Sequence, residues 1–165
     1  MKLFYITPFD VLRPTTNRIS DVLSCEGFSQ NGILVRMITP YLHRISGIIK
    51  KEDIFKSYGV KNKFKISIFF TFLWDSAPKF LSAITLLFYF SIYTIIIMLS
   101  NFRSLSNVVI TSPTTLGLIP VVFFKKFLPF FGKPIVLCWL HEIIFNERSI
   151  NVYRNSDILA VSNSK

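Results

Sequence analysis

Acidic residues are scarce: nine Asp and Glu stand against 19 Lys and Arg, for a formal net charge of +10. Glu142 and Glu147 have no positioned carboxylate partner, which excludes the paired acids that glycoside hydrolysis needs. Cysteine occurs only at Cys25 and Cys138. A metal site needs more ligands at closer spacing, so no metal is expected. The two thiols leave a disulfide open, but in apolar surroundings they read more simply as small core residues in a reducing cytoplasm. The six glycines nowhere form Gly-x-Gly-x-x-Gly, which excludes a standard nicotinamide or flavin site, and the absence of a Walker loop excludes a P-loop NTPase. No bound cofactor is expected. Zinc-finger spacing, a helix-turn-helix pattern and an RNA-recognition strand motif are also missing, so nucleic acid is not an expected partner. After Met1-Lys2 the apolar run is too short for a signal-peptide core.

What is present is apolar surface. Hydrophobic residues make up 51% of the 165, and Phe alone contributes 18, which argues against intrinsic disorder and for one domain with a substantial core. The positive charge is concentrated. From Arg36 to Lys65 there are eight Lys or Arg residues against Glu52 and Asp53. Such a run reads either as a solvated basic loop or as a surface for an anionic membrane or a phosphorylated substrate. Phe80 to Phe102 is 23 residues without a charge, bounded by Lys79 and Arg103. Its length meets the criterion for a membrane span. Ser82, Thr85, Tyr89 and Tyr93 nevertheless recur at helical spacing as a mildly polar stripe. The balance favours a helix packed in the domain with an apolar outer face against lipid.

The rest of the chain alternates strand and helix signals. LFYIT (Leu3 to Thr7) is a buried parallel strand by pattern. A loop to Asn17 follows, then a helix over Arg18 to Gln30, with Asn17 as its cap and Asp21 in its first turn. Asn31-Gly32 ends that helix, and LVRMIT (Leu34 to Thr39) is a second strand closed by Pro40. Lys65 to Phe70 is a candidate third strand. NVVIT (Asn107 to Thr111) is the next, followed by a helix over Leu116 to Phe127 that Thr114 can cap and in which Pro120 falls near the first turn. IVLCWL (Ile135 to Leu140) and Ile158 to Val161 complete the set. The expected fold is α/β, a Rossmann-like open parallel sheet with helices on both faces, in a single domain over residues 1–165.

In open parallel sheets ligands sit beyond the carboxyl ends of the strands. Those ends carry three candidate groups. Thr15, Thr16, Asn17 and Arg18 open a helix where free amides, hydroxyls and a guanidinium suit an anion, or simply form a capped surface helix. Ser112 and Thr114 follow the NVVIT strand. His141 and Glu142 follow IVLCWL. An imidazole there can hydrogen-bond a sugar hydroxyl or shuttle a proton near neutral pH, or serve structure alone.

Four segments together resemble the N-terminal domain of the retaining glycosyltransferases of family four, which have the two-Rossmann GT-B fold. They are KLFYITPF with the later QNGILVRMITP, VVITSPTTLGLIPVV, IVLCWLHEII and NSDILAVSNSK, which follow the family's order over nearly the whole chain. The resemblance implies transfer of a sugar from a nucleotide-sugar donor to an envelope or lipid-linked acceptor. It puts His141 at the reaction centre and brings the first loop toward the donor diphosphate. The family's loop usually contains glycines, and the loop Asp10 to Asn17 has none. The resemblance further implies a donor-binding half not found in this sequence, supplied by a separate domain or subunit, so that the chain alone is expected to be inactive. It implies a cytoplasmic protein peripheral on an anionic membrane. The competing readings are a small single-span membrane protein and a non-catalytic anchoring subunit of a split glycosyltransferase.

Overall fold

The computed structural model describes residues 1–13, 16–43, 50, 53–74, 78–127, 134–140, 152 and 154–161. Six strands form one sheet: β1 (Lys2–Ile6), β2 (Leu34–His43), β3 (Lys65–Trp74), β4 (Val108–Ser112), β5 (Ile135–Leu140) and β6 (Ile158–Val161). Their order is β3-β2-β1-β4-β5-β6, and every neighbouring pair is parallel. The order reverses direction between β1 and β4, so these two strands form the topological switch point of a doubly wound sheet. The Rossmann-like α/β architecture expected from the alternating pattern is therefore present.

Alternation along the strands divides the core in two. Leu3, Tyr5, Val35, Met37 and Val109 face α1 (Thr16–Gln30) and α2 (Ile54–Ser57), where they meet Val22, Cys25, Ile54 and Tyr58. Phe4, Ile6, Ile38, Phe69, Val108, Ile110 and Val136 face the other way. There they bury Leu86, Phe90 and Ile97 of α3 (Lys79–Ser100) and Leu118, Val121 and Val122 of α4 (Thr115–Phe127). Helices thus cover both faces, and Gly32, at φ +75°, turns the chain from α1 toward β2 in the left-handed conformation that favours glycine.

Several local expectations need correction. The first helix begins at Thr16, so Asn17 lies inside it, and its first turn holds no acidic residue. Asp21 belongs to the second turn and is buried against the sheet. Strand β2 does not stop at Pro40 but runs to His43, with Pro40 opposite Phe69 of β3. The Ile38 carbonyl accepts from Thr7 N–H on the β1 side, so the missing N–H of Pro40, two residues on, falls on that same side, where β1 has already ended. Strand β3 likewise extends to Trp74, past a register shift between Tyr41 and His43. Pro120 is the sixth residue of α4, beyond the first turn, where it removes the donor that would bond the Leu116 carbonyl.

Helix α3 lies along the sheet. Its buried residues, Leu86, Phe90, Thr94, Ile97 and Met98, recur at helical spacing. Phe69 of β3 anchors it through Tyr89, Phe90 and Tyr93, at ring-centroid distances of 5.2, 6.0 and 5.1 Å. The opposite face exposes Phe80, Leu81, Ile84, Phe88, Ile92, Ile95, Ile96 and Leu99.

Candidate functional site

Three neighbouring strands carry the same dipeptide, Ile6-Thr7 at the end of β1, Ile38-Thr39 where β2 leaves its pairing with β1, and Ile110-Thr111 near the end of β4. In each the isoleucine faces α3 and α4, so each threonine faces α1. The three threonines are fully buried, yet their hydroxyls have different fates. Thr7 Oγ1 donates to Asp21 Oδ2 at 2.7 Å, while Tyr5 OH donates to Asp21 Oδ1 at 2.8 Å. Thr39 Oγ1 donates to the Phe9 carbonyl at 2.6 Å and accepts from Val11 N–H at 3.3 Å. Thr111 Oγ1 has no hydrogen-bond partner among the described residues. A buried hydroxyl left so costs about 1–3 kcal/mol.

The β1–α1 loop is built inward. Asp10 is fully buried, and its Oδ1 accepts from Leu12 N–H at 2.9 Å, an Asx turn that tightens the loop without glycine. Arg13 is buried with its Nε 4.0 Å from Asp10 Oδ2, and Arg18 donates through NH1 to the Arg13 carbonyl at 3.0 Å. Tyr58, the residue that closes α2, reaches over to donate to the Val11 carbonyl at 2.8 Å. Burial pushes the Tyr58 phenol up to about 12, opposed by the nearby Arg18 guanidinium and reinforced by Asp10 and Asp21. Two arginines and two carboxylates therefore share the floor of this loop. Burial, together with Asp21, also raises the Tyr5 phenol and the Cys25 thiol well above their ordinary values, which makes Cys25 an inert core thiol.

Across the switch point, the β4–α4 turn is held by Ser112, whose Oγ accepts from Thr114 N–H at 3.2 Å. Thr114 stands directly before α4, where a cap is expected, but its own Oγ1 is buried without a partner among the described residues. The capping contact is not made, and two unsatisfied hydroxyls lie at the carboxyl end of β4, on Thr111 within the strand and on Thr114 in the turn that follows. Gly117 is what permits the turn to sit so close. A Cβ there would stand 2.3 Å from Ser112 Oγ, 2.9 Å from Ser112 Cβ and 3.2 Å from the Ile6 carbonyl oxygen. Gly117→Ala should therefore destabilise the fold by about 1–3 kcal/mol, despite alanine's better helix propensity. Thermal melts check the sign, and adding Ser112→Ala should recover part of the loss.

Of the residues singled out from sequence, Arg18 lies in the first turn of α1, Ser112 ends β4 and Thr114 stands in the β4–α4 turn, on the two connections that flank the switch point. Thr16 and Asn17 begin α1; their side chains, with Thr15, His141 and Glu142, lie outside the described residues. Asp10, Arg13, Thr39, Tyr58 and Thr111 were not singled out. The Ile-Thr dipeptide repeated in three apolar runs was the available signal for Thr39 and Thr111. Nothing in the spacing marks Tyr58, which arrives from the β2–β3 connection. Asp157, before β6, accepts from Val136 N–H at 2.7 Å and pairs with Lys125 of α4, a role in closing the sheet edge. Among the described residues no cluster of His, Cys, Asp and Glu could hold a metal ion.

Fold and rim together define an open parallel α/β sheet of the Rossmann-like kind with its polar groups gathered at the switch point. No protein-family model matches the chain, and a search of curated proteins finds no match.

Proposed function

We propose that the chain is the acceptor-side half of a GT-B-type retaining glycosyltransferase, which moves a sugar from a nucleotide-sugar donor to an envelope or lipid-linked acceptor. The observation that carries this reading is the switch point between β1 and β4, where the buried hydroxyls of Thr111 and Thr114 have no partner among the described residues and the β1–α1 connection brings Arg13 together with Arg18 of α1. Hydroxyls and guanidinium groups are the chemistry that recognises sugar and phosphate oxygens. In the transfer, the bond from the sugar's anomeric carbon to the diphosphate breaks and the acceptor oxygen takes its place. The acceptor's proton departs with the nucleoside diphosphate. His141, which directly follows β5 in sequence, is the residue proposed at the reaction centre, with Glu142 beside it in sequence. The described residues form one wall of a cleft. Transition-state binding needs the facing wall as well, and a separate donor-binding domain or subunit would supply it. The protein would work on the cytoplasmic side of an anionic membrane, with the outer face of α3 toward lipid.

Thr111→Val tests the reading directly. Removing an unsatisfied hydroxyl should leave the free protein as stable or make it more so. In an NMR titration with a water-soluble alkyl glycoside, the same change should weaken binding roughly three- to tenfold. No glycoside binding by the wild-type chain, or a stability loss in Thr111→Val with binding unchanged, would sink the proposal. Robust sugar transfer by the chain alone would overturn its half-enzyme part.

A further inference from the structure

At the opposite edge of the sheet, below the amino ends of β1, β2 and β3, lies a cleft of about 570 Å³ lined by Lys2, Arg36, Lys63 and Lys65 together with Phe4, Phe64 and Asn101. Among the described residues no carboxylate lines it. Glu26, one turn before the lining Ser29 on α1, is occupied elsewhere: its Oε1 accepts from Lys61 N–H at 2.7 Å and Asn62 N–H at 3.0 Å. These bonds, Asn62 first, hold its carboxyl below the usual range. Four like charges around one cleft repel each other unless an anion joins them.

Three of the four cations share the face of the sheet that carries α3. Lys2 donates through Nζ to Asn101 Oδ1, at the end of α3, at 2.9 Å. Arg36 is two residues from Ile38, and Lys65 four from Phe69, both of which face α3. Arg36 Nε donates to Ser67 Oγ at 2.8 Å, which ties the guanidinium of this lining residue to β3. The cleft therefore opens beside the carboxyl end of a 22-residue helix, about 33 Å long at 1.5 Å per residue, whose outer face is a row of exposed Phe, Ile and Leu. An apolar row that size on a soluble surface marks a binding face, and a helix held to the sheet by its inner residues is placed to lie in a bilayer interface rather than cross it.

We propose that α3 beds its outer face in the acyl region of a membrane leaflet while the cleft of Lys2, Arg36, Lys63 and Lys65 takes the phosphate of an anionic lipid headgroup. The site rests on the membrane reading proposed above, and it lies at the other end of the strands from the sugar-transfer rim. The test is cosedimentation of the full chain with phosphatidylcholine vesicles that contain or lack phosphatidylglycerol. At about fivefold in affinity per neutralised cation, Lys2→Gln/Arg36→Gln should weaken binding to the anionic vesicles roughly 25-fold. Lys63→Gln/Lys65→Gln, which alters exposed side chains only, should do the same and guards against a folding defect. Lys50→Gln/Lys56→Gln removes equal charge on the β2–β3 connection and should change binding less than twofold. Phe88→Asp/Leu99→Asp should abolish binding to both kinds of vesicle. Equal loss from the cleft and control pairs would overturn the headgroup site while leaving membrane docking intact. Wild-type chain that ignores vesicles, or binding indifferent to Phe88→Asp/Leu99→Asp, would overturn the docking itself.

Discussion

Phe69→Ala should lower stability by about 3–5 kcal/mol, the range for truncating a buried aromatic, and should lower the melting midpoint by roughly 6–20 °C in a domain of this size. Phe69 is 5% exposed and is the side chain through which β3 grips α3, in contact with Tyr89, Phe90 and Tyr93. Removal leaves a cavity bounded by three rings, none of which can leave α3 to fill it. The matching exposed change, Phe88→Ala, starts from a ring 62% in solvent and should move stability by no more than about 0.5 kcal/mol. The contrast separates the two faces of one helix by urea or thermal unfolding. If the two substitutions cost the same, α3 is not seated on the sheet as described. With Phe69 gone, α3 is apolar on both sides and weakly held, so the variant should also aggregate at lower temperature than other variants of equal stability.

Much of this fold was legible because a parallel strand buried on both faces is written as an uninterrupted apolar run. Ile135 to Leu140 and Ile158 to Val161 match β5 and β6 at both ends, and β1 and β4 differ from their runs by one residue. Where the signal failed, a local rule met a tertiary exception. Pro40 reads as a strand stop, but it falls where β2 has lost its β1 neighbour and needs no donor there. Thr114 reads as a helix cap, but Ser112 takes the amide that defines the turn. Asp21 reads as a carboxylate favouring a helix dipole; its position one turn later makes it a buried acceptor for two strand residues. The candidate site was legible as a place, the carboxyl ends of the strands, and only partly as residues. Thr111 looks like any strand threonine until the bond it lacks is known.

Asp21→Ala should be the second costly change, about 2–4 kcal/mol, and its effect should reach the rim. Asp21 is 1% exposed and accepts from Tyr5 OH and Thr7 Oγ1, which are themselves buried. Truncation leaves both hydroxyls without this acceptor in a place water does not reach, and bonds to a charged acceptor are the stronger kind. A double-mutant cycle isolates the term. In a Tyr5→Phe background one of the two orphaned donors is already gone, so Asp21→Ala should cost less there, by a coupling of about 1–2 kcal/mol. Thr7 transmits the loss, because its Oγ1 also accepts from Phe9 N–H at 3.2 Å. A rotated Thr7 hydroxyl would loosen the start of the loop that carries Asp10 and Arg13. Amide hydrogen exchange should then rise at Phe9, Val11 and Leu12 beyond what the global destabilisation explains. Unchanged exchange there, with the stability loss intact, would mean that Asp21 holds α1 to β1 and leaves the loop to Thr39 and Tyr58.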